Sequence, residues 1–494
     1  MSAPLPSSQS VERVAETATP PGTPKVWKVG TLTYTGSGIT ALLLLLVWGD
    51  FALALRDRSV VEMAKWYLNS LDVPSWLFGL LITSFPGAVA LFLGPIISMK
   101  SDRHRGKWGR RIPFLLVTTP IAAFGMIGIA LTPIITKALQ GFSQPDSFIG
   151  APLHALLGGT SWGPGLLASL ENPMFMSVLC FAGFWACFEF SIIAGLSVFG
   201  GLINDVVPQA MLGRVYALFR AISLIDGMIF SYYIFGKVPE HFTLIMLIIG
   251  VFYGVAFTWV CFKVKEGSYP PPPPVDPAKK SWTKGFWAGA TTYYRECFSH
   301  PYYLRVFLMI MAATLSFMPI NTFAQPYAKS LAVSMDTFGK YLALTFMISM
   351  GLALPLGWLV DKVHPLRVMI GAMVGYLLVT LWGTLYANDA SSFITAWVLH
   401  GVLSGCYFTS AASIGQRLYP KDRFSQFASA ALLFAAPLQM ALAPIVGTII
   451  DSTGKVYRYA FTAGMILACV ALLSAWSVYG RFKQLGGPKN YVAP

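Results

Sequence analysis

Four ionisable residues sit inside long apolar runs of this chain: Asp50, Glu189, Arg220 and Asp226. A charge in hydrocarbon is expensive and marks a candidate functional group. At a helical rise of about 1.5 Å per residue, Asp50 falls roughly 18 Å along its run, Glu189 roughly 22 Å and Arg220 roughly 14 Å, near the middle of a bilayer. Asp226 falls closer to the end of its run. Glu189 is flanked by Trp185, Phe188 and Phe190. A carboxyl among rings and within reach of Arg220 can exchange a proton as that cation is engaged or freed. The alternative is a static Glu–Arg pair that clamps two helices. Asp50 stands between Trp48-Gly49 and Phe51, a setting for a sugar whose hydroxyls meet the acid and whose C–H face packs on a ring. Its alternative is a helix-packing hydrogen bond. Trp185 offers a further aromatic face. Asp226 is expected to be structural or to face a water-filled vestibule. The second half carries no acid deep in a run, only neutral polar groups such as Asn321, Gln325, His400, Ser404, Tyr407, Gln416 and Gln439. Of these, Asn321, Gln325 and Gln439 are expected to bind substrate, and His400 to make an interhelical bond.

The elements that must position these groups follow from composition. The chain has 494 residues, 55% hydrophobic and 11% charged, with a mean hydropathy of +0.62. Soluble domains carry about 25% charged residues, so this is a membrane protein. A span needs about 20 apolar residues. Twelve such runs lie near 36–56, 75–99, 112–135, 174–204, 211–236, 241–263, 302–326, 337–360, 367–387, 392–416, 425–450 and 458–480. The segment 136–173 reads as a loop outside the membrane. The first 35 residues lack the apolar core of a cleaved signal peptide. The net charge of +14 does not indicate nucleic acid. With the N-terminus inside, about 25 Lys and Arg fall on the cytoplasmic side and about 9 outside, which predicts both termini in the cytoplasm. The expected location is a bacterial inner membrane or a plasma membrane, and the expected state a monomer in the lipid bilayer. Six cysteines make no CxxC and no metal spacing. No Walker loop, Rossmann fingerprint, HExxH or GxSxG is present, so no cofactor and no enzyme activity are expected. Any accumulation must draw on an ion gradient.

Between the second and third runs stands a basic loop holding Lys100, Asp102, Arg103, Arg105, Lys107, Arg110 and Arg111. A carboxylate among guanidiniums can tie helix ends by charge-assisted pairing, which suggests a gate. The corresponding place in the second half reads Gly357, Asp361-Lys362, Arg367, so Asp361 and Arg367 are the counterpart gate residues. Internal duplication around a midplane site is a plan of secondary transporters. The predicted organisation is a disordered cytoplasmic tail 1–35, a six-helix bundle 36–263, a cytoplasmic linker 264–301, a second bundle 302–480 and a tail 481–494. The linker contains Pro270 to Pro274, an extended spacer. After it, Trp282, Phe286, Trp287, Tyr293, Tyr294 and Phe298 among basic residues suit an interfacial helix.

Asp102-Arg103 followed by Trp108-Gly109-Arg110-Arg111 and Pro113 resembles the loop of the glycoside–pentoside–hexuronide cation symporters of the major facilitator superfamily. Gly183-Phe184-Trp185 through Glu189 to Leu202-Ile203-Asn204-Asp205 is similar to the fourth span of the plant sucrose–proton symporter branch. Phe219-Arg220-Ala221 and Asp50 resemble sugar-binding residues of the melibiose permease branch. The resemblance implies an all-α major facilitator fold of twelve transmembrane helices in two six-helix bundles. It also implies proton coupling at Glu189 with Arg220, and sugar binding at Asp50 and Arg220. Ala90, Gly94 and Leu196 stand where sodium-binding acids would be, so protons are favoured over sodium. The expected function is proton-coupled symport of a neutral disaccharide or glucoside such as sucrose or maltose. The alternatives are a uniporter or exporter of glycosides or muropeptide fragments, or a non-transporting membrane receptor or scaffold.

Overall fold

The computed structural model describes residues 26–271, 293–420 and 423–494. Among them, ten helical stretches are long and apolar enough to cross a membrane, which makes this an integral, multi-pass membrane protein. One stretch, Gln209–Lys263, runs for 55 residues, about 80 Å against a hydrocarbon core of about 30 Å. It therefore crosses twice. The break comprises a π turn at Phe230–Ile234, a 3-10 turn at Phe235–Lys237 and non-helical backbone at His241. Ala390–Ala411 supplies the tenth span, a helix of 22 residues whose polar members include His400, Ser404 and Ser410. With it, the described helices number twelve spans, six on each side of the linker.

The packing repeats between the halves. In the first, span 1 (Gly36–Ser70) packs on span 5 (Gln209–Ile229) and span 6 (Val238–Lys263), span 3 (Ile112–Ser143) on spans 4 (Pro173–Val206) and 6, and span 2 (Ser75–Arg103) on span 4. In the second, span 7 (Pro301–Ser330) packs on span 11 (Phe424–Ser452) and span 12 (Tyr459–Gln484), span 9 (Pro365–Tyr386) on spans 10 (Ala390–Ala411) and 12, and span 8 (Met335–Val363) on span 10. The bundles meet chiefly through spans 2 and 11 and spans 5 and 8. Adding six to every number of the first set gives the second, so the duplication expected from the two hairpins is present in the helix packing.

Three segments differ from the sequence reading. Residues 27–34 form a two-stranded hairpin, Trp27–Val29 with Leu32–Tyr34, where an unstructured tail was expected. Gly30 at φ +54 makes the turn. Segment 136–173 is mostly helical: span 3 runs on to Ser143, then Gly150–Gly158 and Gly163–Glu171 follow. Ser147 and Thr160 accept from the Gly150 and Gly163 N–H groups at 2.8 and 3.0 Å and start these helices. Span 1 continues to Ser70, fourteen residues past the expected end at 56, because Val60, Met63, Ala64, Tyr67 and Leu68 bury its opposite face. Residues 1–25, Pro272–Pro274, Trp282, Phe286 and Trp287 lie outside the described residues.

The face that carries residues 71–74 and 331–334 is sealed between bundles. Lys329 Nζ donates to Asp72 Oδ1 at 2.7 Å and to the Asn69 carbonyl at 2.9 Å. The Trp76 N–H donates to Asp451 at 3.2 Å, and Thr83 shares a 2.9 Å hydrogen bond with Thr322. Gly447 and Gly79 permit close approach here, since a Cβ would run into the Ser75 carbonyl oxygen at the first and lie 2.8 Å from the Ala443 carbonyl at the second. The hydrogen bonds joining the transmembrane bundles gather on this side of the cavity described below, which leaves the terminal face unlatched by such bonds among the described residues.

Candidate functional site

A cavity of about 360 Å³ lies between the bundles. Span 1 contributes Asp57, Arg58, Glu62 and Lys65, and span 5 contributes Arg220. The second bundle adds Asn321, His400, Ser404 and the rings of Phe346, Trp397 and Phe408. Arg58, Glu62 and Lys65 are spaced i, i+4 and i+7, one stripe of a helix. The sequence reading missed this stripe because Arg56-Asp57-Arg58 resembles the end of a span. Its signal was the apolar stripe that continues alongside it to Leu68.

The polar groups form a chain across the boundary. Glu62 accepts from Lys65 Nζ at 2.7 Å and from Gln325 Nε2 at 2.6 Å. Lys65 also donates to the Asn321 carbonyl at 3.1 Å. The Asn321 side chain meets His400 Nε2 at 3.0 Å, and His400 Nδ1 meets Tyr376 Oη at 3.0 Å. Tyr376 donates to the Ser316 carbonyl at 3.0 Å. His400 thus makes interhelical bonds, as read from sequence, and also lines the cavity. Arg58 holds Ser223 Oγ through Nε and Nη2 at 3.1 and 3.0 Å and lies 5.0 Å from the Phe346 ring. Arg220 has no hydrogen bond or ion pair among the described residues and faces the cavity within electrostatic reach of Arg58.

Glu189 does not pair with Arg220. Its buried carboxylate lies within electrostatic reach of Arg56 and Asp57 instead. Arg56 is fully buried, paired with Asp57 Oδ1 at 2.5 Å and stacked 5.0 Å from the Tyr253 ring. Asp57 connects this buried group to the cavity wall. Asp50 does not line the cavity. One of its carboxylate oxygens is buried without a partner, as is one of Asp226, and the two acids lie within electrostatic reach of each other. Trp185 is a core residue, not a cavity residue: it stacks on Phe181, and its Nε1 donates at 2.9 Å to the Leu81 carbonyl within the π turn Leu80–Ser84. Gln439 packs beside Gly87 and does not line the cavity. Gln325 is buried against Glu62 and does not itself line the cavity.

The basic loop ties helices of the first bundle to one another. Arg111 pairs with Asp102 at 2.5 Å and with Asp205 at 3.2 Å, and donates to Ser101 Oγ at 2.6 Å. Arg110 grips Asp205 with Nε at 2.8 Å and with Nη2. Spans 2, 3 and 4 are thereby joined. Glu266 of the linker accepts from the N–H groups of Arg110, Arg111 and Ile112 at 2.9, 2.8 and 2.7 Å, capping span 3 from a distant segment. Gly109 is required there twice over, at φ +97 and with Glu266 packed where a Cβ would stand. Arg103 has no such contact among the described residues. In the second bundle, Asp361 lies 3.9 Å from Arg417 and Arg367 donates to Tyr479 Oη at 2.8 Å. Among the described residues, neither hairpin makes an ion pair or hydrogen bond that bridges the two bundles.

Residues 306–490 match the family model described as Major Facilitator Superfamily. Solved structures of the same fold include a bacterial homolog to the human lysosomal transporter Spinster in an inward-facing and occupied conformation. It is 13% identical, with 92% of this chain and 99% of that chain covered and a TM-score of 0.61. Others are a D-xylose-proton symporter (13% identical, 89% and 97% covered, TM-score 0.57) and a POT family transporter in complex with a thioalcohol conjugated peptide (13% identical, 91% and 97% covered, TM-score 0.60). The chain has the all-α major facilitator fold. No curated protein sequence matches it.

Proposed function

We propose that this chain is a secondary transporter that carries a small sugar together with a proton by alternating access, in the state open to the face bearing the termini, taken as cytoplasmic. The observation that carries the reading is the cavity at the bundle boundary, where guanidiniums, carboxylates, an amide and aromatic rings converge behind a sealed face. A guanidinium fork presents paired donors to vicinal hydroxyls, the Asp57 carboxylate accepts from others, and the rings of Phe346 and Trp397 take the C–H face. The loop's likeness to glycoside–pentoside–hexuronide symporters supports the same substrate class. Glu189 is the proton carrier in this reading. A sugar that engages Asp57 loosens the Arg56–Asp57 pair, and Arg56 then changes its hold on Glu189.

One observation favours a second reading, an anionic sugar. Asp57 is matched by Arg56 and Glu62 by Lys65, which leaves Arg58 and Arg220 as two neighbouring guanidiniums on the cavity wall. Uptake into proteoliposomes, competed by a neutral disaccharide, a glucoside and a hexuronate at several pH values, separates the readings. Proton symport requires uptake that follows pH, ignores sodium and loses accumulation, but not exchange, in Glu189→Gln. Uptake indifferent to pH makes the chain a uniporter, and absence of counterflow for every solute removes the transport reading.

A further inference from the structure

The lipid-facing side of span 6 carries an exposed stripe, Ile248, Val251, Val255, Trp259 and Phe262, spaced by three and four residues. Its first four members line an apolar groove of about 1010 Å³ against Leu44, Leu45 and Trp48 of span 1. Phe262, one turn further along the same stripe, lines a different pocket of about 610 Å³ at the terminal face. That pocket is built from the basic loop and the start of the linker, with Arg105, Lys107, Trp108 and Lys265 around Glu266. Trp108 packs edge-on against Phe262 with centroids 5.6 Å apart, so the aromatic wall is continuous from groove to pocket.

The charge of the pocket is uncompensated. Three cations face one carboxylate, and that carboxylate is consumed by the three N–H groups of span 3 and by Tyr269 Oη at 3.0 Å. Arg105 is held in place by the Pro270 carbonyl at 2.8 Å. Lys107 and Lys265 are exposed and make no ion pair among the described residues. A basic pocket walled by a tryptophan at a span end, opening onto an apolar groove that runs down the same helix, matches an amphiphile with an anionic head and an acyl tail. Neither a soluble anion nor a zwitterionic lipid matches both parts.

We propose that spans 1, 3 and 6 form a specific site for an anionic phospholipid, with its phosphodiester between Lys107 and Lys265 beside Trp108 and one acyl chain along the Val251–Val255–Trp259 groove. Because the head sits against Glu266 and the loop that joins spans 2, 3 and 4, occupancy braces the same clasp.

The test uses the full-length protein in detergent with dioleoyl phosphatidylglycerol, dioleoyl phosphatidylcholine or glycerol 1-phosphate, read by native mass spectrometry and thermal melting. Phosphatidylglycerol is expected to remain bound and to raise the melting temperature, and the other two to do neither. Lys107→Gln/Lys265→Gln is expected to lower retention about thirtyfold, from two cations near an anionic head. Val255→Trp, which fills the groove at a lipid-facing position, is expected to lower retention with both lysines intact. Equal retention of phosphatidylcholine, equal stabilisation by glycerol 1-phosphate, or unchanged retention in the double lysine variant overturns the head-group assignment. Unchanged retention in Val255→Trp overturns the groove assignment.

Discussion

Gln325 of span 7 donates to Glu62 of span 1 at 2.6 Å and again to the Glu62 carbonyl at 3.0 Å, across the boundary between the bundles. Glu62 also holds Lys65, and Lys65 in turn reaches back to the Asn321 carbonyl. The seal beyond the cavity and the cavity wall therefore share side chains, which gives a bound solute direct leverage on the closed face.

Gln325→Leu should open that face. A hydrogen bond to a charged group contributes about 1.5–3 kcal/mol, enough to shift a near-balanced two-state equilibrium more than tenfold. Electron-resonance distances between spin labels in residues 71–74 and 331–334 are expected to lengthen relative to the unsubstituted protein. An unchanged distance distribution would remove Glu62–Gln325 from the seal.

Gly79→Ala tests the same seal through sterics alone. The new methyl would lie 2.8 Å from the Ala443 carbonyl carbon and oxygen, which are backbone atoms and cannot swing aside. Gly94 on the same span meets open space and serves as the control. Gly79→Ala is expected to increase maleimide labelling of a cysteine placed in residues 331–334 and to slow transport, while Gly94→Ala leaves both near normal. Equal labelling in the two variants would show that spans 2 and 11 can part without opening a path.

Much of this architecture was legible in the chain. The apolar runs, the linker and the matching Asp–Arg hairpins give two bundles of six, and the charge of Arg220 places it at the cavity. What could not be read is which helix faces which. Helical rise along the sequence puts Glu189 and Arg220 both near mid-span, yet span 4 turns Glu189 toward Arg56 and span 5 turns Arg220 into the cavity. Trp185 offers an aromatic face in sequence, four residues before Glu189, but its indole N–H is taken up by the Leu81 carbonyl within the π turn of span 2. Arg58, Glu62 and Lys65 were hidden for a different reason: a hydropathy reading ends a span at the first charges, whereas a cavity-lining helix continues through them.

The clasp around Asp205 separates a stabilising role from a gating one. Asp205 accepts from both Arg110 and Arg111, while Asp102, half exposed, accepts from Arg111 alone. Asp205→Asn should therefore lower thermal stability more than Asp102→Asn. Glu266→Ala, which strips three backbone N–H groups of their acceptor, should do so as well. Removing a partner from a group left buried costs about 1–3 kcal/mol. Melting curves of the three variants provide the ranking, and a larger loss in Asp102→Asn than in Asp205→Asn would contradict it.

His364 carries a prediction about pH. It stands in the turn between spans 8 and 9 at φ +92, where its Nδ1 accepts from the Leu366 N–H at 3.3 Å and its ring packs 4.8 Å from Phe482. Burial, then the nearby guanidiniums of Arg417 and Arg367, push its pKa down to about 4 from the usual 6.5. The unfolded chain thus binds the extra proton first. Stability from the neutral imidazole is complete above about 6.5 and is lost as pH falls through that window toward 4. Protonation also removes the Nδ1 acceptor, so the start of span 9 loses its cap. Asn tolerates a positive φ and caps helices, so His364→Asn should melt near the unsubstituted protein at pH 7.5. Between pH 6.5 and 5, where carboxylates contribute less to the slope, it should lose less melting temperature than the unsubstituted protein does. Parallel slopes in the two proteins would mean that His364 does not titrate on unfolding in this range.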